Sequence, residues 1–369
     1  MMESPRLVNL VDARIVEFLA SRESILGRVA PDLAPFSRFS RDLLSGGKRF
    51  RALFCYWGWR AVSPAATASA VPGEKELDSL IDLCAGLELF HAAALVHDDI
   101  IDNSDTRRGM PSAHRRFESL HADGGWQGSR RTFGEGSAIL LGDLLLAWSD
   151  ELIARAVLGA PSLETHLAAR EAIDTMRTEV TLGQYLDLLE ERAWATTDPE
   201  ASLERAERVI VYKSAKYSVE APLVIGASLR GSSPEQTDAL RRFGLPLGIA
   251  FQLRDDVLGV FGDAELTGKP SGDDLREGKR TVLVSLTRSR LDPSSRRLFD
   301  ELIGDPELDE GQIRMLQQTM VGTGAVTEVE SMISRRLRTA LDELDRAPLG
   351  DTAKAELTSL AKRLVNRQA

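Results

Sequence analysis

The sequence predicts an all-α chain of ten or more helices, and three observations carry that expectation. Apolar residues recur at three- and four-residue spacing almost throughout, while alternating runs are hard to find. Ala, Leu and Arg recur, residues that lose little on entering a helix, and aromatics make up only 6% of the chain. Ser/Pro/Gly-rich breaks at residues 63–72, 121–136, 231–236 and 262–278 separate the periodic segments. None is long enough to suggest a second domain, so residues 1–369 read as a single domain.

Composition narrows the function. With 43% hydrophobic and 28% charged residues the chain can bury a sizeable core. Its 46 basic and 56 acidic residues leave a formal charge of −10, which argues against a general nucleic-acid binder. An anionic ligand would need a local basic cluster or a metal bridge. Cys55 and Cys84 lie in apolar helix-like stretches and read as a buried, reduced pair. The first thirty residues mix acidic and basic side chains and carry no secretory pattern. No run of 18 or more apolar residues is present, so the expectation is a cytoplasmic protein without stable membrane insertion.

Along the chain, residues 8–26 form a first helix that could supply a subunit contact. Gly46-Gly47-Lys48-Arg49-Phe50-Arg51 then leads into an apolar helix. Backbone N–H groups at a helix start, with Lys and Arg beside them, suit a diphosphate, although a charged turn is the plainer account of the motif alone.

Residues 76–102 read as one long helix, free of Pro and with Gly86 as its only glycine. It ends in His97-Asp98-Asp99-Ile100-Ile101-Asp102. At 100° per residue, Asp98 and Asp102 share a face, Asp99 lies beside it, and Leu87, His91 and Ala94 continue it. Carboxylates at a helix C-terminus oppose the macrodipole and repel each other at this spacing, each effect costing a few tenths of a kcal/mol. A divalent cation removes both penalties, and hard oxygen ligands suit Mg²⁺ better than zinc. In isolation a solvated acidic helix end explains the motif equally well. Arg107 and Arg108 follow in a short loop and match phosphate oxygens.

Lys213-Ser214 opens a helix over 213–229. Residues 240–261 read as another helix, kinked or restarted at Pro246, carrying Gln252, Asp255 and Asp256. Gly244, Gly248 and Gly259 on or near that stripe read as close-packing positions. Beyond it, Gly268-Lys269 and Asp273–Arg280, including Lys279, form a Gly/Lys loop able to close over phosphates.

These residues together resemble the trans-isoprenyl diphosphate synthases, or polyprenyl synthetases, by motif over about residues 40–290. The 97–102 segment with Arg107-Arg108-Gly109 is similar to that family's first aspartate-rich motif, and 251–256 to its second. Residues 46–51, Lys213-Ser214 and Gly268-Lys269 resemble its basic elements. The resemblance implies an isoprenoid synthase fold, helices around a central cavity, and elongation of an allylic diphosphate with isopentenyl diphosphate. It implies Mg²⁺, three ions per active site, and a homodimer, with Asp98, Asp102 and Asp255 as metal ligands and Asp99 and Asp256 beside them in the catalytic set. Arg107, Lys213, Ser214, Gln252, Lys269 and Lys279 would contact the allylic diphosphate or its metals. Lys48, Arg51, His91 and Arg108 would hold isopentenyl diphosphate.

Two positions depart from the pattern. Gly259 stands where many members have a third Asp, and Ser214 where Thr is common. Ala93 and Ala94, below Asp98, leave a tail path open as far as Phe90 or Leu87, which predicts a product longer than C15, namely C20 geranylgeranyl diphosphate. A farnesyl or longer-chain synthase, a class I terpene cyclase and a non-catalytic partner subunit are the competing readings. The cyclase would need a metal triad that is not visible after residue 200, and a non-catalytic subunit usually lacks one aspartate motif.

Overall fold

The computed structural model describes residues 3–62, 73–196, 201–262 and 271–366. Its helices are α1 (Glu3–Val29), α2 (Ala34–Leu44), α3 (Phe50–Ala61), α4 (Glu74–Ile101), α5 (Ala113–Asp123), α6 (Arg130–Leu158), α7 (Leu163–Ala193) and α8 (Ser202–Val209). A π-helical stretch (Ile210–Glu220) joins α8 to α9 (Ala221–Arg230), and α10 spans Pro234–Phe261. Six shorter or C-terminal helices follow: α11 (Asp273–Glu277), α12 (Val282–Ser289), α13 (Pro293–Leu302), α14 (Glu310–Gly322), α15 (Ala325–Arg346) and α16 (Asp351–Val365). The all-α expectation holds, with one small addition. Thr106–Arg107 pairs antiparallel with Met110–Pro111, and Arg108 (φ 54°) and Gly109 (φ 74°) make the turn. Positive φ at both central positions is what a tight two-residue hairpin requires.

Helix α4 is the central element. Glu74 and Glu76 favour its N-terminal dipole, and Leu80, Leu83, Leu87 and Leu89 are essentially fully buried. It lies along α6, while α3 packs on α9, and α10 on the π stretch and α15. The buried apolar residues form one continuous cluster, to which α1 contributes Leu7, Val11, Ile15, Phe18 and Leu19. By length and composition α4 could cross a membrane, yet 72% of its most apolar 18-residue window is buried inside the protein. That burial marks it as a core helix. Cys55 and Cys84 are buried and unbridged, as expected.

Three boundaries differ from the sequence reading. The 121–136 break shrinks to 124–129, because Ser129 accepts the Thr132 N–H and starts α6 early. Gly134 is a packing residue inside that helix: a Cβ there would lie 2.6 Å from the His114 carbonyl oxygen. Helix α10 runs unbroken through Pro246 and starts at Pro234, capped by Ser233. An interior Pro costs about 3 kcal/mol, offset here by buried contacts on both sides of the helix. The 213–229 segment lies inside a longer run, Ser202–Arg230, whose middle is π-helical.

Candidate active site

The C-terminal end of α4 carries the first carboxylates. Asp98 accepts hydrogen bonds from Lys213 Nζ and Gln184 Nε2, each at 3.0 Å, and Arg107 approaches its other oxygen at 3.5 Å. Burial pushes its carboxyl pKa up, but Lys213, Lys279 and Arg107 outweigh that and hold it well below the usual range. Asp102, one turn on, has a side chain only 2% exposed, and Lys279 Nζ lies 3.3 Å from it. Among the described residues, none donates a hydrogen bond to either Asp102 oxygen. Burial, only partly countered by Lys279, raises its pKa to about 6. Asp99 is fully buried and pairs with the Arg107 guanidinium, with Nε at 2.9 Å, so it orients Arg107 from behind.

The cations come from distant segments. Lys213, on the π stretch, bridges Asp98 and Asp187, and these carboxylates outweigh burial to raise its pKa. π segments inside α-helices recur at functional sites. Gly183 on α7 allows the close crossing there, since a Cβ would sit 2.7 Å from Lys213 Cα. Ser214 is half-buried beside Lys213. Lys279 contacts Asp102, Glu277 (2.7 Å) and Asp274 (3.8 Å). Lys269 lies outside the described residues.

A second basic centre sits around His91 on the same α4 face. Burial lowers the imidazole pKa well below its ordinary value, and Arg51, Arg108, Arg107 and Arg49 lower it further. Arg51 donates to Ser218 Oγ at 2.8 Å and stacks 4.4 Å from the Tyr217 ring centroid, and Tyr217 Oη lies 3.2 Å from His91 Nδ1. Arg49 turns inward to Asp12 and Glu88, leaving Lys48 exposed at the turn formed by Gly46 and Gly47. Arg108 donates to the Leu43 carbonyl at 3.3 Å, and burial followed by Arg49 lowers its pKa. Several guanidiniums around a neutral imidazole make a pocket suited to a polyanion.

The second cluster lies on α10. Asp256 is 6% exposed and accepts from Gln252 Nε2 at 2.8 Å. Burial, with Asp274 and Asp255 nearby, raises its pKa to about 8 despite that hydrogen bond. Gln252 is thus turned onto Asp256, while Asp255 stays half-buried one position earlier.

The sequence reading missed Gln184, Asp187 and Glu191, spaced i, i+3 and i+7 on α7. That spacing places a polar stripe on one helix face, and it was the available signal. Burial and then Asp187 push Glu191 up to about 8. Tyr217 and Ser218 were missed too, because nothing in their local pattern distinguishes them from core helix.

No group of three His, Cys, Asp or Glu among the described residues is arranged to hold a metal ion by itself. The donor set still fits a hard divalent cation: carboxylate oxygens, two of them on Asp102 buried without a hydrogen bond from the described residues. Such a site needs ligand oxygens from a bound anion to complete it.

The polyprenyl synthetase family model matches residues 34–320. A geranylfarnesyl diphosphate synthase of Aeropyrum pernix is 31% identical over 352 residues, covering 95% of this chain and 96% of the relative. A geranylgeranyl diphosphate synthase of Saccharolobus solfataricus is 28% identical over 98% of this chain and 96% of its own length. The structure of a geranylgeranyl pyrophosphate synthase from Corynebacterium glutamicum, complexed with isoprenyl diphosphate and magnesium, superposes with a TM-score of 0.91 at 37% identity. That likeness covers 99% of this chain and 100% of the other. The chain belongs to the polyprenyl synthetase family, has the isoprenoid synthase fold, and is a trans-prenyltransferase. Its family joins isopentenyl diphosphate to allylic diphosphates with a divalent metal.

Proposed function

We propose that this trans-prenyltransferase condenses isopentenyl diphosphate with an allylic diphosphate and stops at C20 geranylgeranyl diphosphate. The observation that carries the reading is α4 itself, with Asp98 and Asp102 facing Lys213 and Lys279 at its end and His91 among guanidiniums two turns below. Two polyanion subsites lie on one helix face, as head-to-tail joining of two diphosphates demands.

Asp98, Asp102 and Asp255 would hold Mg²⁺, three ions with substrate bound, and the metal would neutralise charge on the departing diphosphate. Arg107, Lys213, Ser214, Gln252, Lys269 and Lys279 would grip that group. As the allylic C1–O bond breaks, the electron pair leaves with the diphosphate. Lys48, Arg51, His91 and Arg108 would hold isopentenyl diphosphate so that its double bond attacks C1, after which its C2 loses a proton to the released diphosphate. His91 would stay neutral in this role, because an imidazolium would have to form in a buried position and among guanidiniums. Gln184, Asp187 and Tyr217 join as positioning residues.

The tail would run down the α4 face past Ala94, which is half-buried where Ala93 is fully buried. Phe90, edge-on to Tyr217 at 5.8 Å, would form the floor. A floor lower down would give C25, a reading the Aeropyrum pernix relative's name supports. The chain would act as one cytoplasmic domain and as a homodimer. Exposed Ile139 and Leu140 on α6 support a subunit contact there, and exposed Val16 and Ile25 support one on α1.

Purified protein with Mg²⁺, labelled isopentenyl diphosphate and dimethylallyl, geranyl or farnesyl diphosphate tests the assignment. C20 is expected from every primer, and Ala94→Phe should stop the chain at C15 or shorter. A wild-type product of C15 would sink the open-path argument, and no product would sink the activity.

A further inference from the structure

Three cations lie within Lys48-Arg49-Phe50-Arg51, and the structure separates them. Lys48 is exposed, Arg51 is half-buried, and the Arg49 side chain is only 3% exposed. All three guanidinium nitrogens of Arg49 donate inward. Nε donates to Asp12 on α1 at 2.8 Å, Nη1 to Glu88 on α4 at 3.4 Å, and Nη2 to the Leu44 carbonyl at the end of α2. Buried and committed in this way, Arg49 does not itself reach a ligand. Among the described residues, by contrast, none accepts from the buried Nε of Arg51.

Arg49 is also the N-cap of α3, with left-handed dihedrals of φ 48° and ψ 40°. A residue with a side chain resists that conformation, so its surroundings must hold it there. The pair with Glu88 supplies the hold. Glu88 is 5% exposed, and its other oxygen accepts the Ala52 N–H at 3.2 Å. One carboxylate therefore satisfies both a free N–H in the first turn of α3 and the charge of the residue that starts it. Glu88 lies one turn from His91 along α4, and the Leu43 carbonyl, next to Leu44, takes Arg108. The end of α2, the start of α3 and the α4 turn beside His91 thus converge on one guanidinium. Arg51, two residues on, is set against Ser218 and Tyr217 as a result.

We infer that Arg49 is a positioning residue for the isopentenyl diphosphate subsite: tied to Asp12, Glu88 and Leu44, it fixes the 46–51 turn so that Lys48 and Arg51 meet the diphosphate. Helix α1 then serves the site as well as the core, through Asp12, whose side chain is 40% exposed. The inference rests on the subsite proposed above and adds a residue that does not touch its substrate. Lysine is a poor replacement here, because one ammonium cannot span acceptors on α1, α2 and α4 as a planar guanidinium does.

The test is calorimetric binding of isopentenyl diphosphate alone to the full chain, where no allylic partner is present to react, together with the steady-state KM of each substrate. Arg49→Lys should raise the Kd and KM of isopentenyl diphosphate about tenfold, the effect of a small misplacement, and leave the KM of geranyl diphosphate near wild type. Asp12→Asn is milder, because Glu88 and Leu44 still hold Arg49, and should raise the same two constants about threefold. The inference is overturned if either variant, folded by circular dichroism, binds isopentenyl diphosphate as wild type does. It is equally overturned if the KM of geranyl diphosphate rises in step, which would mark a general loosening of the fold. Should Arg49→Lys not fold, Asp12→Asn decides alone. Undiminished binding in Arg51→Ala would overturn the subsite assignment and this inference together, a result distinct from the other two.

Discussion

At the end of α4, Asp98 and Asp102 meet ammonium and guanidinium groups already in place, and Asp98 is held ionised by Lys213, Lys279 and Arg107 against the cost of burial. On α10, Asp256 is as deeply buried but faces a neutral amide and other carboxylates, and its pKa rises to about 8. Both regions carry an adjacent pair of aspartates on a helix, Asp98-Asp99 and Asp255-Asp256, so the difference is made by neighbours and not by the pair itself. The first cluster is pre-assembled for an anion with its counter-charges. The second is poised to give up protons when a cation arrives, which couples metal binding there to pH.

The largest effect expected from breaking this asymmetry comes from Asp98→Ala. Turnover should fall on the order of a thousandfold, measured as labelled prenyl product, while the melting temperature stays near wild type because Lys213 keeps Asp187. Retained turnover would show that the pre-assembled cluster is not where the leaving group is held. A smaller effect should separate the two aspartates of α10. Asp255→Ala should cost about 10–100-fold in Mg²⁺ affinity, whereas Asp256→Asn, which mimics the protonated carboxyl, should cost clearly less. The reverse order would make Asp256 the principal ligand.

The smallest effect is in the stability of the metal-free protein. Asp256 and Glu191 have folded-state pKa values of about 8, above their unfolded ones. Between the unfolded and folded values the native state therefore binds more protons than the unfolded chain. Their contribution to stability is full at acid pH and is lost as pH rises through about 8. Melting temperature without metal should decline from pH 5 to pH 8, and Mg²⁺ with pyrophosphate should flatten the decline. A metal-free profile that rises over this range would contradict the protonated state of both groups.

Much of the site was legible in the sequence because its pieces are local. Helical period put Asp98 and Asp102 on one face with His91 and Ala94 below, and the structure keeps that stripe. Arg107 and Arg108 were visible as candidates for binding phosphate, but the hairpin that aims Arg107 at Asp99 depends on two positive-φ residues that the dipeptide alone did not announce. The α7 stripe was overlooked because Gln184 and Asp187 mean little until Lys213 is known to cross it.

The sequence by itself determined the helices, the metal-compatible carboxylates, the basic elements and the family they belong to. These follow from periodicity, capping and residue chemistry acting within a few positions. Only the tertiary structure decided that Lys213 bridges Asp98 and Asp187, that Arg51 and Tyr217 close on His91, and that Asp274 stands over Gly259. Those pairings join segments as far as 126 residues apart. They depend on how helices cross and where a π stretch rotates a face, which no local pattern encodes.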